Sequence, residues 1–245
     1  DLDFHELIDF LGRDPTTQAI LLYIDNIASA RSFISAARAA AVNKPIIAIK
    51  TGKTSLGVAA ATLHTGGQTS ADALYDAMFQ RAGMLRVNDL RELFAATQTL
   101  ALHPKLLKKE HLCILTNGGG PGVMAVDTLI QSSGRLVKLS DDTIAKLNKV
   151  MPQEDMASNP VDIFGDSDPA RYQKTLEILL KAPEVDNLLI LHSPSALAPS
   201  EEYAKIIVEA VNALPKMQRP YVLTNFMGED AAFAARKACN LGGIP

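Results

Sequence analysis

The chain has 245 residues, 47% of them hydrophobic, which is enough apolar material for one large domain or two ordinary ones. Its 24 basic and 27 acidic residues give a net charge of −3 without a long basic run, which argues against nucleic acid or a membrane surface as partner. The sequence shows no signal peptide and no apolar stretch of bilayer-spanning length, and the sparse cysteines, Cys113 and Cys239, suit reduced thiols of a cytoplasmic protein. The missing initiator Met and the abrupt end at Pro245, where a further strand is expected, predict a fragment of a longer protein.

In the first half, short apolar runs alternate with helical patterns. Strands are predicted over residues 19–24, 45–50 and 84–87, and helices over residues 4–11, 30–42, 71–82 and 90–100. Between the second strand and the third helix, small residues lead into a loop of Thr and Gly that carries His64. Pro104 disfavours helix at His103, and the basic run 105–109 is typical of a solvated connection. We therefore predict two domains, 1–103 and 104–245.

The second half repeats the alternation. Strands are predicted over residues 112–116, 135–137, 187–192 and 221–223, and helices over residues 121–131, 141–150, 169–181, 201–214 and 231–240. The segment 159–162 (NPVD) is interpreted as a turn with local side-chain capping. Because crossovers between parallel strands are almost always right-handed, the pattern predicts an α/β fold with two flavodoxin-like, doubly wound parallel-sheet domains.

Ligands of open parallel sheets bind at the carboxyl ends of the strands, and several polar segments of this chain follow predicted strands. Lys50 and Lys53 follow one of them and are interpreted as solvated. His192 ends another strand and is a weaker candidate for lining a cleft. No metal site is predicted.

The glycine-rich segment after residue 116 offers two interpretations. Gly118, Gly119 and Gly120 can adopt backbone conformations closed to other residues, and Pro121 suits the first position of a helix whose N-terminus favours an anion. With Asn117 these glycines form either a phosphate-binding loop or a tight turn without ligand. The segment matches neither the Walker pattern nor the dinucleotide fingerprint.

His64 has its own candidate chemistry. A neutral imidazole can attack phosphorus, and a carboxylate on its other nitrogen would fix the tautomer; Asp25 is the natural candidate for that carboxylate. Thr65, Gly66 and Gly67 would then admit and bind the phosphate. The alternative is a histidine that is simply hydrogen-bonded within a loop.

An ordered series of segments gives the chain a family resemblance. It resembles the NDP-forming acyl-CoA synthetases, which include the ADP-forming acetyl-CoA synthetases and, more distantly, succinyl-CoA synthetase. The segments are 19–25 (AILLYID), 44–53 (KPIIAIKTGK), 64–67 (HTGG), 80–84 (QRAGM), 116–124 (TNGGGPGVM) and 159–162 (NPVD). They run in order over nearly the whole chain.

The resemblance implies succinyl-CoA synthetase-like domains and a phosphohistidine relay. In the family, the histidine at the position of His64 takes phosphate from an acyl phosphate and delivers it to ADP on an ATP-grasp domain. Asp25 falls where the family has a glutamate that contacts the phosphohistidine, and its side chain is one methylene shorter. The implied partners are ATP-grasp and CoA-binding domains, in cis or on another subunit, with acetyl-CoA or a related acyl-CoA as ligand. For the full-length protein the resemblance implies ATP or ADP, Mg²⁺ and CoA, whereas no cofactor is expected to bind to this fragment alone. Homo-oligomerisation is compatible with the sequence.

Two other hypotheses stay open. Residues 192–196 (HSPSA) and 223–225 (LTN) resemble the synthetase-like region of bacterial GNAT-type protein lysine acetyltransferases, which implies a non-catalytic, acyl-CoA-sensing region as the alternative function. A receiver domain phosphorylated at Asp25 is disfavoured, because Asp25 lacks the acidic pair that would hold magnesium.

Overall fold

The computed structural model describes residues 2–65, 72–102, 111–152 and 157–245, with His64, Thr65 and Leu102 described by their backbone alone. The chain divides into two compact units, Asp1–Leu106 (unit 1) and Leu107–Pro245 (unit 2). The predicted boundary at 103/104 lies outside the described residues.

Unit 1 contains a three-stranded parallel sheet in the order β1-β2-β3. Its elements are α1 (Phe4–Arg13), β1 (Ile20–Ile24), α2 (Ala30–Ala41), β2 (Ile46–Lys50), α3 (Ser55–Thr65), α4 (Asp72–Ala82), β3 (Leu85–Val87) and α5 (Leu90–Leu102). The central strand β2 is buried along its whole length, because helices cover both of its faces. The aromatic rings of Phe33 and Phe79 pack on one face with α1, α2 and α4, and Leu93 of α5 packs on the other.

Helix α3 was not predicted. Its run of Ala59, Ala60 and Ala61 has high helix propensity but no amphipathic stripe, so hydrophobic periodicity did not reveal it. The Thr54 hydroxyl caps the helix by accepting a hydrogen bond from the Gly57 N–H at 3.1 Å. The helix extends through His64, which therefore lies in its last turn rather than in a loop.

Unit 2 contains a parallel sheet in the order β5-β4-β7-β8, with β6 also paired to β4. Its elements are β4 (His111–Thr116), α6 (Gly119–Gln131), β5 (Arg135–Leu136), α7 (Asp141–Asn148), β6 (Val161–Asp162), α8 (Pro169–Lys181), β7 (Asn187–His192), α9 (Ser200–Asn212), a 3₁₀ turn (Lys216–Gln218), β8 (Tyr221–Phe226) and α10 (Asp230–Leu241). If the two-residue strand β6 is left out, the sheet contains the second, first, third and fourth strands of the unit in that spatial order, which is the flavodoxin arrangement. The predicted α/β fold with flavodoxin-like parallel sheets is confirmed.

The interpretation of residues 159–162 as a locally capped turn holds for Asp162, whose Oδ1 accepts a hydrogen bond from the Phe164 N–H at 2.9 Å, but not for the segment as a whole. Val161 and Asp162 form the short strand β6, which pairs with the end of β4. The Asn159 side chain accepts from the Ile114 N–H at 3.0 Å and donates to the carbonyls of Leu112 and Val137, each at 2.9 Å. This amide therefore ties together segments that are distant in sequence, which local turn rules do not anticipate.

Candidate functional site

At the carboxyl edge of unit 1, β1 and β2 end side by side. Ile24 is the register partner of Lys50, so the residues that follow, Asp25 and Thr51, are neighbours. The Thr51 N–H donates to the Ile24 carbonyl at 3.0 Å, and the Thr51 hydroxyl donates to Asp25 Oδ1 at 3.3 Å. A neutral hydroxyl thus contacts the carboxylate that we predicted to orient His64.

The Lys50 side chain is buried, with 1% of its surface exposed, so its interpretation as a solvated lysine is wrong. Its Nζ donates to the Thr51 carbonyl and lies 4.6 Å from the ring centroid of Tyr75. Burial lowers the pKa of Lys50, and the charges of Asp25 and Asp72 oppose that shift. Lys53, in contrast, is exposed as predicted and donates to Asn88 Oδ1 at 3.1 Å.

Arg86 holds the first turn of α4. Its guanidinium contacts Asp72 at 2.7 Å and Asp76 at 2.6 Å, and the Arg86 side chain is 14% exposed. Sequence reasoning missed this cluster, although Asp72 and Asp76 are four residues apart and so share one face of the predicted helix. The edge therefore combines the three carboxylates of Asp25, Asp72 and Asp76 with the two cations Lys50 and Arg86.

The residues predicted to carry and cradle phosphate in unit 1 are only partly described. His64 and Thr65 belong to the last turn of α3, and Gly66 and Gly67 lie outside the described residues. The pairing of His64 with Asp25 therefore stays a prediction.

At the carboxyl edge of unit 2, Asn117 joins two neighbouring strands. Its amide is buried, donates from Nδ2 to the Ser193 carbonyl at 2.9 Å, and accepts from the Ser193 N–H at 2.7 Å. The bonds connect the ends of β4 and β7, where the strand order reverses. In parallel sheets the crevice at such a reversal is the common ligand position.

The glycines after Asn117 do not form the predicted loop. Gly118 is the N-cap of α6 in an extended conformation, with φ −148°, and Gly119 and Gly120 are the first helical residues. Pro121 consequently occupies the third helical position rather than the first. Gly118 does not have a positive φ; a Cβ there would instead lie 2.6 Å from the Ser193 hydroxyl oxygen, which would have to move to admit a larger residue.

The first turn of α6 is chemically able to bind an anion. The N–H groups of Gly119 and Gly120 belong to the first helical turn, which lacks intrahelical acceptors, and the helix dipole adds positive potential there. The Asp162 carboxylate lies on the same side, since its Oδ2 would be 3.0 Å from a Cβ at Gly119. This carboxylate opposes an anion electrostatically, so the phosphate-binding interpretation of residues 117–120 stays a prediction.

His192 does not line a cleft, so that expectation is wrong. It is completely buried at the end of β7, against the rings of Tyr203 and Phe226 at centroid distances of 4.9 and 5.2 Å. Burial lowers the pKa of His192, although the hydrogen bond of its Nε2 with the Ala198 carbonyl at 3.1 Å opposes the shift. The residue is therefore a neutral core histidine.

The described parts of the chain contain neither a membrane-spanning helix nor a cluster of metal ligands. None of the helices there has both the length and the apolar character needed to cross a membrane. Those same residues contain no group of three or more His, Cys, Asp or Glu side chains arranged to hold a metal ion.

Both units match families of known proteins. Residues 1–100 match the family described as succinyl-CoA ligase like flavodoxin domain, and residues 112–233 match the ligase-CoA domain. The chain is 33% identical to acetate–CoA ligase [ADP-forming] I of Archaeoglobus fulgidus, over all of this chain and 34% of that protein. It is also 33% identical to acetate–CoA ligase [ADP-forming] II subunit alpha of Pyrococcus furiosus, over all of this chain and 53% of that protein.

A solved structure gives the same result. The dinucleotide forming acetyl-coenzyme A synthetase 1 of Ca. Korarchaeum cryptofilum, in complex with phosphate and ADP, superposes with a TM-score of 0.88 at 33% identity. The match covers all of this chain and 52% of that chain. The chain thus spans between a third and about half of the length of the relatives it matches.

Proposed function

The chain belongs to the NDP-forming acyl-CoA synthetase family, and from this membership we propose that it carries the phosphohistidine segment of such an enzyme. The proposed reaction of the parent protein is acetyl-CoA + ADP + phosphate = acetate + CoA + ATP. The observation that supports it best is the similarity of the whole chain to acetate–CoA ligases, in a sequence that retains His64 within His-Thr-Gly-Gly.

His64 is the proposed phosphoryl carrier. After phosphate displaces CoA from the acyl group, the imidazole nitrogen attacks the phosphorus of the acyl phosphate, and the carboxylate leaves with the electrons of the broken P–O bond. The terminal phosphate oxygen of ADP then attacks the same phosphorus, the P–N bond breaks, and ATP forms. Asp25 is proposed to orient the imidazole; Thr65, Gly66 and Gly67 are proposed to bind the phosphoryl group.

Residues 117–120 at the start of α6 are proposed as a second phosphate-binding element, in which backbone N–H groups face the anion. ATP or ADP, Mg²⁺ and CoA are proposed to bind on ATP-grasp and CoA-binding domains, in cis or on another subunit.

The test uses the full-length parent protein with its ATP-grasp partner. Incubation with γ-³²P-labelled ATP should give an acid-labile, base-stable label on the chain, and His64→Ala should abolish it. His111→Ala is the matched control, because His111 is an exposed histidine on a strand, and it should label like the wild type. Label that survives in His64→Ala would overturn the proposal, and an unlabelled wild type would favour the acyl-CoA-sensing alternative.

A further inference from the structure

A cleft between α2 and α4 of unit 1 is lined by residues that the proposed phosphoryl transfer does not use. Its volume is about 320 Å³, which is within the usual range of small-molecule sites. Tyr75 and Met78 form its floor, since only 4% and 9% of their surfaces are exposed. Ala30 on α2 and Ala77 on α4 also line the cleft, and their small side chains leave the space between the two helices open.

The walls of this cleft are mostly apolar. Ile27 and Ile34 are half-buried there, and Leu74 is 63% exposed. A ligand with a hydrocarbon body would remove this surface from water, which is favourable in proportion to the area covered. A cleft of the same volume in unit 2, about 320 Å³, has charged walls that include Lys146 and Glu177. The lining, rather than the volume, therefore selects an apolar ligand body in unit 1.

One cation belongs to the lining. Arg81 is exposed in the last turn of α4, and among the described residues it has neither an ion pair nor a hydrogen-bond partner. Arg86, in contrast, is already paired with Asp72 and Asp76 in the first half of the same helix. A free guanidinium matches the geometry of a carboxylate and binds it through two parallel hydrogen bonds.

We infer that this cleft binds a small amphipathic carboxylate, with its hydrocarbon body against Ile34, Leu74 and Met78 and its carboxylate on Arg81. Seven residues separate Leu74 from Arg81, which is about 10 Å along a helix. That length fits the extended chain of a medium-chain fatty acid such as octanoate and is too short to seat a partner helix. Asp76 would repel the carboxylate from the other half of α4, so the charge is directed to Arg81.

The test is a calorimetric titration of the full-length parent protein with octanoate. Saturating acetate is present throughout, because it fills the carboxylate site of the proposed reaction but is too small to fill the cleft. We expect one octanoate per chain with a Kd of about 1 mM or tighter. Octylammonium, which has the same hydrocarbon body and the opposite charge, should bind at least about tenfold more weakly. Octanoate should also slow hydrogen exchange of the amides in α2 and α4.

Two variants separate the charge from the apolar space. Arg81→Gln should weaken octanoate binding about tenfold, because the charge-assisted hydrogen bonds are lost. Ala77→Leu fills the cleft from an exposed helical position and should abolish binding. Arg13→Gln and Ala39→Leu are the matched controls, since both residues are exposed on helices of unit 1 and lie outside the lining; both should bind octanoate like the wild type.

The inference does not depend on phosphoryl transfer, so His64→Ala should bind octanoate like the wild type even though it loses the label. No binding to the wild type up to about 10 mM octanoate would overturn the inference. Equal binding of octylammonium, or binding that Arg81→Gln leaves unchanged, would also overturn it. If Ala77→Leu does not fold, Arg81→Gln and the exchange of α2 and α4 amides decide.

Discussion

In unit 1 the carboxyl edge of the sheet is ionic, whereas in unit 2 it is joined by neutral hydrogen bonds and carries one carboxylate, that of Asp162, beside the start of α6. Lys50 and Arg86 lie with carboxylates at the first edge, and Asn117 bonds reciprocally to the Ser193 backbone at the second. Both edges terminate parallel strands in similar folds. The difference shows that similar parallel sheets can end either in a cluster of paired charges or in a frame held mainly by neutral hydrogen bonds.

The physical consequences of the two edges differ. Buried charges pay a desolvation cost that depends on pH, salt and nearby phosphate, so the arrangement in unit 1 should respond to all three. Neutral hydrogen bonds and steric contacts respond to none of them directly. Equal responses to pH and salt at the two edges would contradict this difference. Because two units unfold in one chain, stability should be read from hydrogen exchange of β2 and β4 amides.

Asn117→Ala should have the largest effect on stability, and only in unit 2. The substitution removes two hydrogen bonds to Ser193 from a buried site, and unsatisfied backbone groups there predict a loss of about 3 kcal/mol. Asn117→Asp keeps the acceptor for the Ser193 N–H but places a buried carboxylate oxygen against the Ser193 carbonyl, so at neutral pH it should destabilise unit 2 at least as much as Asn117→Ala. Hydrogen exchange of β4 amides measures the loss, and it should be the same at low and high salt. An effect confined to β2 amides would contradict the assignment.

Gly118→Ala should destabilise unit 2 by about 2 kcal/mol, because its Cβ would lie 2.6 Å from the Ser193 hydroxyl oxygen. Gly120→Ala is the matched control: a Cβ there meets nothing within 4 Å, and alanine favours helix by about 1 kcal/mol over glycine. The free energy of unfolding of unit 2, measured by hydrogen exchange at increasing urea concentrations, should therefore fall for Gly118→Ala and rise for Gly120→Ala. Equal effects would show that backbone freedom, rather than space, requires glycine at the start of α6.

Arg86→Gln should destabilise unit 1 by about 1.5 kcal/mol at low salt and by less in concentrated NaCl. The substitution removes a guanidinium that is only 14% exposed and breaks its ion pairs with Asp72 and Asp76. Arg13→Gln breaks a single ion pair whose members are 79% and 49% exposed, so it should change stability by about 0.3 kcal/mol. Exchange of β2 amides at two salt concentrations tests both variants. If the loss of stability in Arg86→Gln did not depend on salt, the Arg86 side chain would stabilise unit 1 through packing rather than through its charge.

Lys50→Met should change stability at neutral pH by no more than about 1 kcal/mol relative to the wild type. Its pH dependence is the informative part. The folded pKa of Lys50 is below 10.5, so at alkaline pH below this value the unfolded chain binds more protons at this side chain, and wild-type stability gains as pH rises. Methionine has no such proton. The difference in unfolding free energy between the wild type and Lys50→Met should therefore shift in favour of the wild type as the pH rises toward 10.5. A difference in unfolding free energy that stays constant across the pH range would contradict a buried, titrating Lys50.

Hydrophobic periodicity predicted most of the fold. The strand over 187–192 and the helix over 169–181 have the predicted bounds, because a buried strand and an amphipathic helix leave unambiguous patterns. Helix α3 and strand β6 were missed, since an alanine-rich helix has no stripe and a two-residue strand has no period. Of the candidate site residues, Asn117 and Gly118 lie between the end of β4 and the start of α6, and the expected conformational reason for glycine at 118 is replaced by a steric one; their phosphate-binding role stays a prediction.

The sequence by itself determined the alternation of strands and helices, the position of polar residues after strands and the order of motifs, because these depend on neighbours in the chain. Only the tertiary structure decided which charges are buried. Lys50 and Lys53 are three residues apart and look alike in sequence, yet Tyr75 from a distant helix lies over one of them and water surrounds the other. Burial depends on residues that are far away in the chain, and local patterns do not contain them.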